Sequence, residues 1–218
     1  MAQIFHPSMK VISRASIILV LIVIAVVFWV AAEIYRAGYT TNVSLPREQP
    51  IPFSHEHHVN GLGIQCAYCH TSAERSSFAG IPPTHTCMTC HSQIWTTSPM
   101  LKPVRESYRT QQPLAWYRVH DLPDFVYFNH SIHVSKGIGC ETCHGRVDLM
   151  PLVWKENTLF MGWCLEGHRA PEKYIRPKEE VYTLGWKPPK DQLELGRELV
   201  RTYKVNVRQL SDCSICHR

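Results

Sequence analysis

The most apolar stretch of the chain is residues 15–32, which contain one polar side chain, Ser16. With its flanks 11–13 and 33–35 the run reaches roughly 20–25 residues. At about 1.5 Å of helix rise per residue it spans the ~30 Å hydrocarbon layer of a bilayer. Lys10 and Arg14 stand at its start. Basic residues stay on the cytoplasmic side, so residues 1–10 are expected inside and everything after Glu33 outside, with Trp29 and Tyr35 at the outer interface. A cleaved export signal is the competing reading, but its apolar region needs only about 7–15 residues. The run is therefore read as a retained anchor helix over 11–36. One helix neither forms a channel nor encloses a quinone, so membrane chemistry requires partner subunits.

Beyond residue 37 the periodicity fades. Residues 37–52 read as a linker rich in Thr, Asn, Ser and Pro. The 15 prolines, with Pro82-Pro83 and Pro188-Pro189 among them, predict short helical pieces joined by irregular chain. One later helix is expected over 191–204. Asp191 and Glu194 have capping-box spacing, and Leu193, Gly196, Leu199, Val200 and Tyr203 fall near one face.

The polar pattern of this part repeats itself. Phe53-Ser54-His55-Glu56-His57-His58-Val59 leads to Gly63-Ile64-Gln65-Cys66-Ala67-Tyr68-Cys69-His70. Phe128-Asn129-His130-Ser131-Ile132-His133-Val134 leads to Gly137-Ile138-Gly139-Cys140-Glu141-Thr142-Cys143-His144. The Phe-to-Cys offset is 13 in the first copy and 12 in the second. A further Cys/His cluster follows each copy, at Cys87 and Cys164, and a last one lies at Cys213. The expected organisation is two modules of two sites each, 53–127 and 128–186, and a C-terminal helix with a fifth site over 187–218.

Composition now gains meaning. The chain has nine Cys and 13 His, and much of its 44% apolar content lies in the anchor. Something other than Leu and Val must fill the exported interior. The formal charge of +5 is scattered without a basic run, so no nucleic-acid surface is visible. An odd number of cysteines excludes complete disulfide pairing. Four segments read Cys-x-x-Cys-His: Cys66/Cys69/His70, Cys87/Cys90/His91, Cys140/Cys143/His144 and Cys213/Cys216/His217. This is the attachment motif of c-type haem, in which two thiols bond the porphyrin vinyl groups and the next imidazole ligates the iron. Four-cysteine zinc sites give no reason for a His after every pair, and a dithiol oxidoreductase needs one pair in a βαβ setting. The ninth cysteine, Cys164, has Gly167 where the second thiol belongs and is followed by His168. It is read as a fifth haem held by a single thioether.

His70, His91, His144, His168 and His217 are thus the expected proximal ligands. Histidines three apart on a helical turn project to one side, so His55, His58, His130 and His133 are expected as distal ligands. The fifth distal ligand is His120 or Met150, with His57 and His85 as weaker choices. A methionine ligand would raise that site's potential. Arg169, Lys173 and Arg176 are expected near haem propionates.

The chain resembles the membrane-anchored pentahaem cytochrome c subunit of alternative complex III, a bacterial quinol:electron-acceptor oxidoreductase. The anchor, the five-site layout, residues Val119-His120-Asp121-Leu122-Pro123-Asp124-Phe125-Val126-Tyr127-Phe128-Asn129-His130 and the block Met161-Gly162-Trp163-Cys164-Leu165-Glu166 carry the resemblance. Gly167 departs from it. The resemblance implies a multihaem cytochrome fold of short helices around five haems, and electron transfer within a complex rather than catalysis by this chain alone. It implies as partners an iron–sulfur or molybdopterin-like subunit, polytopic quinol-binding subunits, and an external acceptor such as a monohaem cytochrome, a blue-copper protein or an oxidase. A multihaem reductase with one open iron position and a stand-alone anchored quinol dehydrogenase are the alternatives.

Overall fold

The computed structural model describes residues 4–217. Residues 1–3 of the expected cytoplasmic segment, and Arg218 of the last segment, lie outside the described residues. The chain divides into two compact units, Met1–Asn42 and Val43–Arg218.

The first unit is dominated by one helix, Ser8–Arg36, which contains no buried residue. Its 29 residues amount to roughly 43 Å at the α-helical rise. It is long and apolar enough to cross a membrane, the only such helix among the described residues. Ala37 ends it by turning to an extended backbone.

The second unit has no strands among the described residues. Two isolated bridges, Val43 with Lys155 and Ile138 with Ile175, are its only extended pairings there. Its longest helix, Gln192–Thr202, has 11 residues. That helix forms where the apolar spacing placed it, but Asp191 does not cap it. The Asp191 backbone, at φ −100° and ψ 27°, lies away from the extended geometry that a capping side chain needs. Leu193 is exposed, and the contact face is set by Gly196, packed on the Pro171–Lys173 turn. A Cβ at Gly196 would stand 1.9 Å from the Glu172 carbonyl oxygen.

Aliphatic core is scarce. Ile51, Leu101 and Val104 form one small cluster, with Cys87, Met88, Leu114 and Trp116 against it. Met150, Ile175 and Val181 are the largest fully buried side chains. For a unit of this length so few buried apolar residues make a thin hydrophobic interior.

The two sequence copies fold alike. The edge of the Phe53 ring meets His55 at 4.9 Å and its face stacks on His58 at 4.4 Å. Phe128 does the same with His130 at 4.7 Å and with His133 at 4.5 Å. In each copy a glycine with positive φ, Gly63 or Gly137, makes the turn toward the cysteines. Ile64 N–H then donates to the His58 carbonyl, and Ile138 N–H to that of His133, both at 3.0 Å. The first copy's extra residue is absorbed in the turn itself. Glu56–Gly61 is a π-helix where the second copy has the α-helix His130–Ser135. A π-turn accommodates one inserted residue without displacing what flanks it.

Candidate functional site

Short helical turns carry the cysteine motifs: Cys66–Cys69, Thr84–His91, Cys140–His144, Met161–Arg169 and Cys213–Cys216. All five begin after an extended residue, Gln65, Pro83, Gly139, Phe160 or Asp212. Within such a turn, cysteines three apart share a side. The N–H groups of His70 and His217 close their turns on the carbonyls of Cys66 and Cys213, both at 2.8 Å. None of the nine cysteines forms a disulfide. Among the described residues no three His, Cys, Asp or Glu converge as a chelating cluster, whereas a zinc site needs four ligands together.

The imidazoles meet in pairs across a gap. His55 stands 6.4 Å from His70, His58 6.3 Å from His91, His130 6.3 Å from His144, and His133 6.1 Å from His168, all between ring centres. Three pairs lie within 24° of parallel, and His58–His91 is inclined at 65°. A metal–imidazole bond is about 2 Å, and a ring nitrogen lies about 1.1 Å from its ring centre. Two imidazoles on opposite sides of one ion therefore have centres about 6.2 Å apart. The four gaps match that separation.

Seven rings are held by main-chain carbonyls through Nδ1. His58 donates to Ser54 at 2.8 Å, His70 to Gly80 at 2.7 Å, His91 to Ile94 at 3.4 Å, and His130 to Ser77 at 2.8 Å. His133 donates to Asn129 at 2.8 Å, His168 to Leu210 at 2.8 Å, and His217 to Phe125 at 3.0 Å. A proton fixed on Nδ1 leaves the Nε2 lone pair for a metal and sets the ring's angle. Burial, and then the neighbouring His70 and His58, lower the His55 pKa to about 4. Burial first, then His120 and His130, bring His144 to about 3. These rings are neutral at pH 7, the form that binds metal. The sequence missed these carbonyl partners, because a backbone acceptor leaves no residue-type signal.

The thiols differ among themselves. A hydrogen bond with Cys140 lowers the Cys66 pKa to about 7 and raises that of Cys140, whose burial raises it further. Burial pushes Cys143 up to about 11. Cys164 is raised by burial and then by the nearby Cys216.

The site with a single thiol has a complete pair of imidazoles, since His168 faces His133. The unusual ring neighbour belongs to His217, where Phe125 lies 5.8 Å away at 28°. The two residues expected as the fifth distal ligand, His120 and Met150, are not placed opposite His217. His120 lies 4.3 Å from His144, and its buried Nε2 has no hydrogen-bond partner. Met150 is fully buried, and its carbonyl accepts the Glu56 N–H at 3.2 Å beside the His55 turn. His57 stacks on Trp95 at 6.0 Å, and His85 lies 6.2 Å from Tyr108. Arg176 is buried against Glu141 at 2.9 Å, and its guanidinium lies 4.6 Å from the Trp186 ring centre. Its nearest charge is thus a carboxylate within the Cys140–Cys143 loop. Arg169 and Lys173 are exposed.

No family model matches the chain. A protein of Nitratidesulfovibrio vulgaris (strain Hildenborough), the menaquinone reductase multihaem cytochrome c subunit, is 39% identical over 99 residues. The matched stretch is 45% of this chain and 46% of that relative, so the chain spans about half the length of the curated protein it matches. The similarity is to a multihaem cytochrome c.

Proposed function

We propose that this chain is a c-type cytochrome with five covalently attached haems, anchored in a membrane by its N-terminal helix, and that it carries electrons as one subunit of a quinone-linked complex. The observation behind this reading is the set of four imidazole pairs at 6.1–6.4 Å, each joining a motif histidine to a histidine of the repeated Phe-x-His-x-x-His segments. The residues fit the group. Cys66, Cys69, Cys87, Cys90, Cys140, Cys143, Cys213 and Cys216 hold four haems by two thioethers each, and Cys164 holds one by a single thioether. His70, His91, His144, His168 and His217 are the proximal ligands. His55, His58, His130 and His133 are the distal ligands of the first four. When bound, haem iron supplies a reversible one-electron change.

The chain's own residues perform the remaining tasks. The two imidazoles facing each other at each of four sites would hold the iron between them and leave no room there for a substrate. Carbonyl acceptors hold seven of the rings, so that little rearranges there when charge changes. His120 touches His144 and acts on the third site. The anchor runs with the N-terminus inside and the haem unit outside, by the basic residues at its start. The resemblance to the alternative complex III subunit and the similarity to a menaquinone reductase subunit both support a setting in quinone chemistry. The first implies quinol oxidation, the second quinone reduction. Under the first, its partners are an iron–sulfur or molybdopterin-like subunit, polytopic quinol-binding subunits, and an external acceptor such as a monohaem cytochrome, a blue-copper protein or an oxidase.

Pyridine haemochrome assay with intact mass tests the reading. Five covalently bound haems per chain are expected, and a colourless exported chain overturns it. Phe125 beside His217 favours one second reading, a reductase acting at that site. A ferric high-spin signal that shifts on adding nitrite or hydroxylamine would support it, and wholly low-spin spectra would exclude it.

A further inference from the structure

The five sites are not arranged in space as they are along the chain. We propose that they form one row in the order second, first, third, fourth, fifth, with Cys87–His91 and Cys213–His217 as its two ends. This rests on the haem reading above.

Each step of the row has its own contacts. The second and first sites share one turn, because His58 faces His91 and His55 faces His70. The Tyr68 hydroxyl also bonds the Thr89 hydroxyl at 3.0 Å, linking the two motifs. The third and fourth sites share the other turn, through His130 with His144 and His133 with His168.

The modules join between the first and third sites. His130 donates to the Ser77 carbonyl through N–H at 3.2 Å and through Nδ1 at 2.8 Å, and Ser131 N–H donates to Ser76 at 3.1 Å. Both serines follow His70 closely in the chain. The Cys66 and Cys140 side chains, the first cysteines of their copies, lie against each other. Equivalent atoms meeting this way are the mark of a two-fold contact. A strap closes the junction, with Cys140 N–H bonded to the Val181 carbonyl at 3.1 Å and the Tyr182 hydroxyl to Glu74 at 2.9 Å.

The fourth and fifth sites join where His168 donates to the Leu210 carbonyl, three residues before Cys213. Cys164 and Cys216 are electrostatic neighbours at the same place. Exposure agrees independently. Cys90 and Cys213 are the exposed cysteines, and the other seven are partly buried. One exposed cysteine belongs to each proposed end.

The order is testable on the full-length, detergent-solubilised cytochrome by paramagnetic NMR of the haem methyl groups. Exchanging a distal His for Met raises one site's potential, so at a poised potential that iron is reduced and diamagnetic while the others stay oxidised. His55→Met and His58→Met assign the signals of the first and second sites. With His130→Met, the resonances of the first and fourth sites should move and those of the second should stay. Movement of the second-site resonances as large as the first overturns the order. His58→Met gives the same discrimination from the other side, should the His130 variant not fold. The first site should respond alone, and an equal response at the third site overturns the proposal. Intact mass separates the two levels of inference. Absence of covalent haem overturns both readings, whereas full haem content with the wrong neighbours responding overturns the order alone.

Discussion

Arg176 is placed to matter more than its position outside every motif indicates. Its side chain is 6% exposed and pairs with Glu141 at 14%, between the two cysteines of the third site. Gly139 leaves room for it, since a Cβ there would lie 2.3 Å from the guanidinium carbon. Removing one member of a buried pair leaves the other charge unpaired, at a cost of about 3–5 kcal/mol. Arg176→Ala should therefore lower the unfolding midpoint in urea clearly, with Arg176→Lys recovering part of the loss, as a point charge lacks the planar fork. An unchanged midpoint for the alanine variant would remove Arg176 from this role. Cys164→Ala tests a different bond. The fourth site keeps both imidazoles, so its low-spin spectrum should persist in the native protein, while denatured protein should retain one haem fewer by intact mass. A retained fifth haem after denaturation would show that Cys164 carries no thioether.

At the level of elements, side-chain spacing was legible and backbone service was not. Cys-x-x-Cys-His and Phe-x-His-x-x-His stood out in the sequence because their chemistry lies in side chains, and the structure brings the repeated histidines opposite the motif histidines. The carbonyls of Gly80, Ile94, Ser77 and Leu210 could not be read, since any residue supplies a carbonyl. The unequal offsets of 13 and 12 were visible in the sequence, but their resolution as a π-turn against an α-turn was not. The helix Gln192–Thr202 was expected from its apolar spacing with Gly196 on the packing face, yet the spacing did not tell that Gly196 makes the close approach while Leu193 stays exposed. Gly196→Ala sets a methyl group against the Glu172 main chain at 1.9 Å. Overpacking against backbone typically costs about 1–3 kcal/mol. The variant should melt a few degrees lower by circular dichroism with its haem content unchanged. A melting point equal to the wild type would mean that this helix can shift freely on the Pro171–Lys173 turn.

For the whole second unit, the question is what takes the place of a conventional core. Its largest fully buried side chains are only Met150, Ile175 and Val181, and its longest helix has 11 residues. Short helices are marginal on their own and need tertiary burial, which so little aliphatic surface supplies poorly. In the proposed reading the haem faces provide the missing apolar area, and the thioethers tie each motif to it, so attachment and folding are one event. Metal and cofactor sites of this kind commonly make the apo chain unfolded. The whole chain, expressed with its anchor in cells that lack the haem-attachment machinery, should then reach the membrane but be cut rapidly by added protease throughout 43–217. The mature cytochrome should resist the same treatment. Hydrogen exchange should agree, with amide protection at Cys140 and Ile175 present only when haem is attached. An apo chain as protected as the mature protein would mean that aliphatic packing and main-chain hydrogen bonds suffice, and that the haems occupy a scaffold already formed.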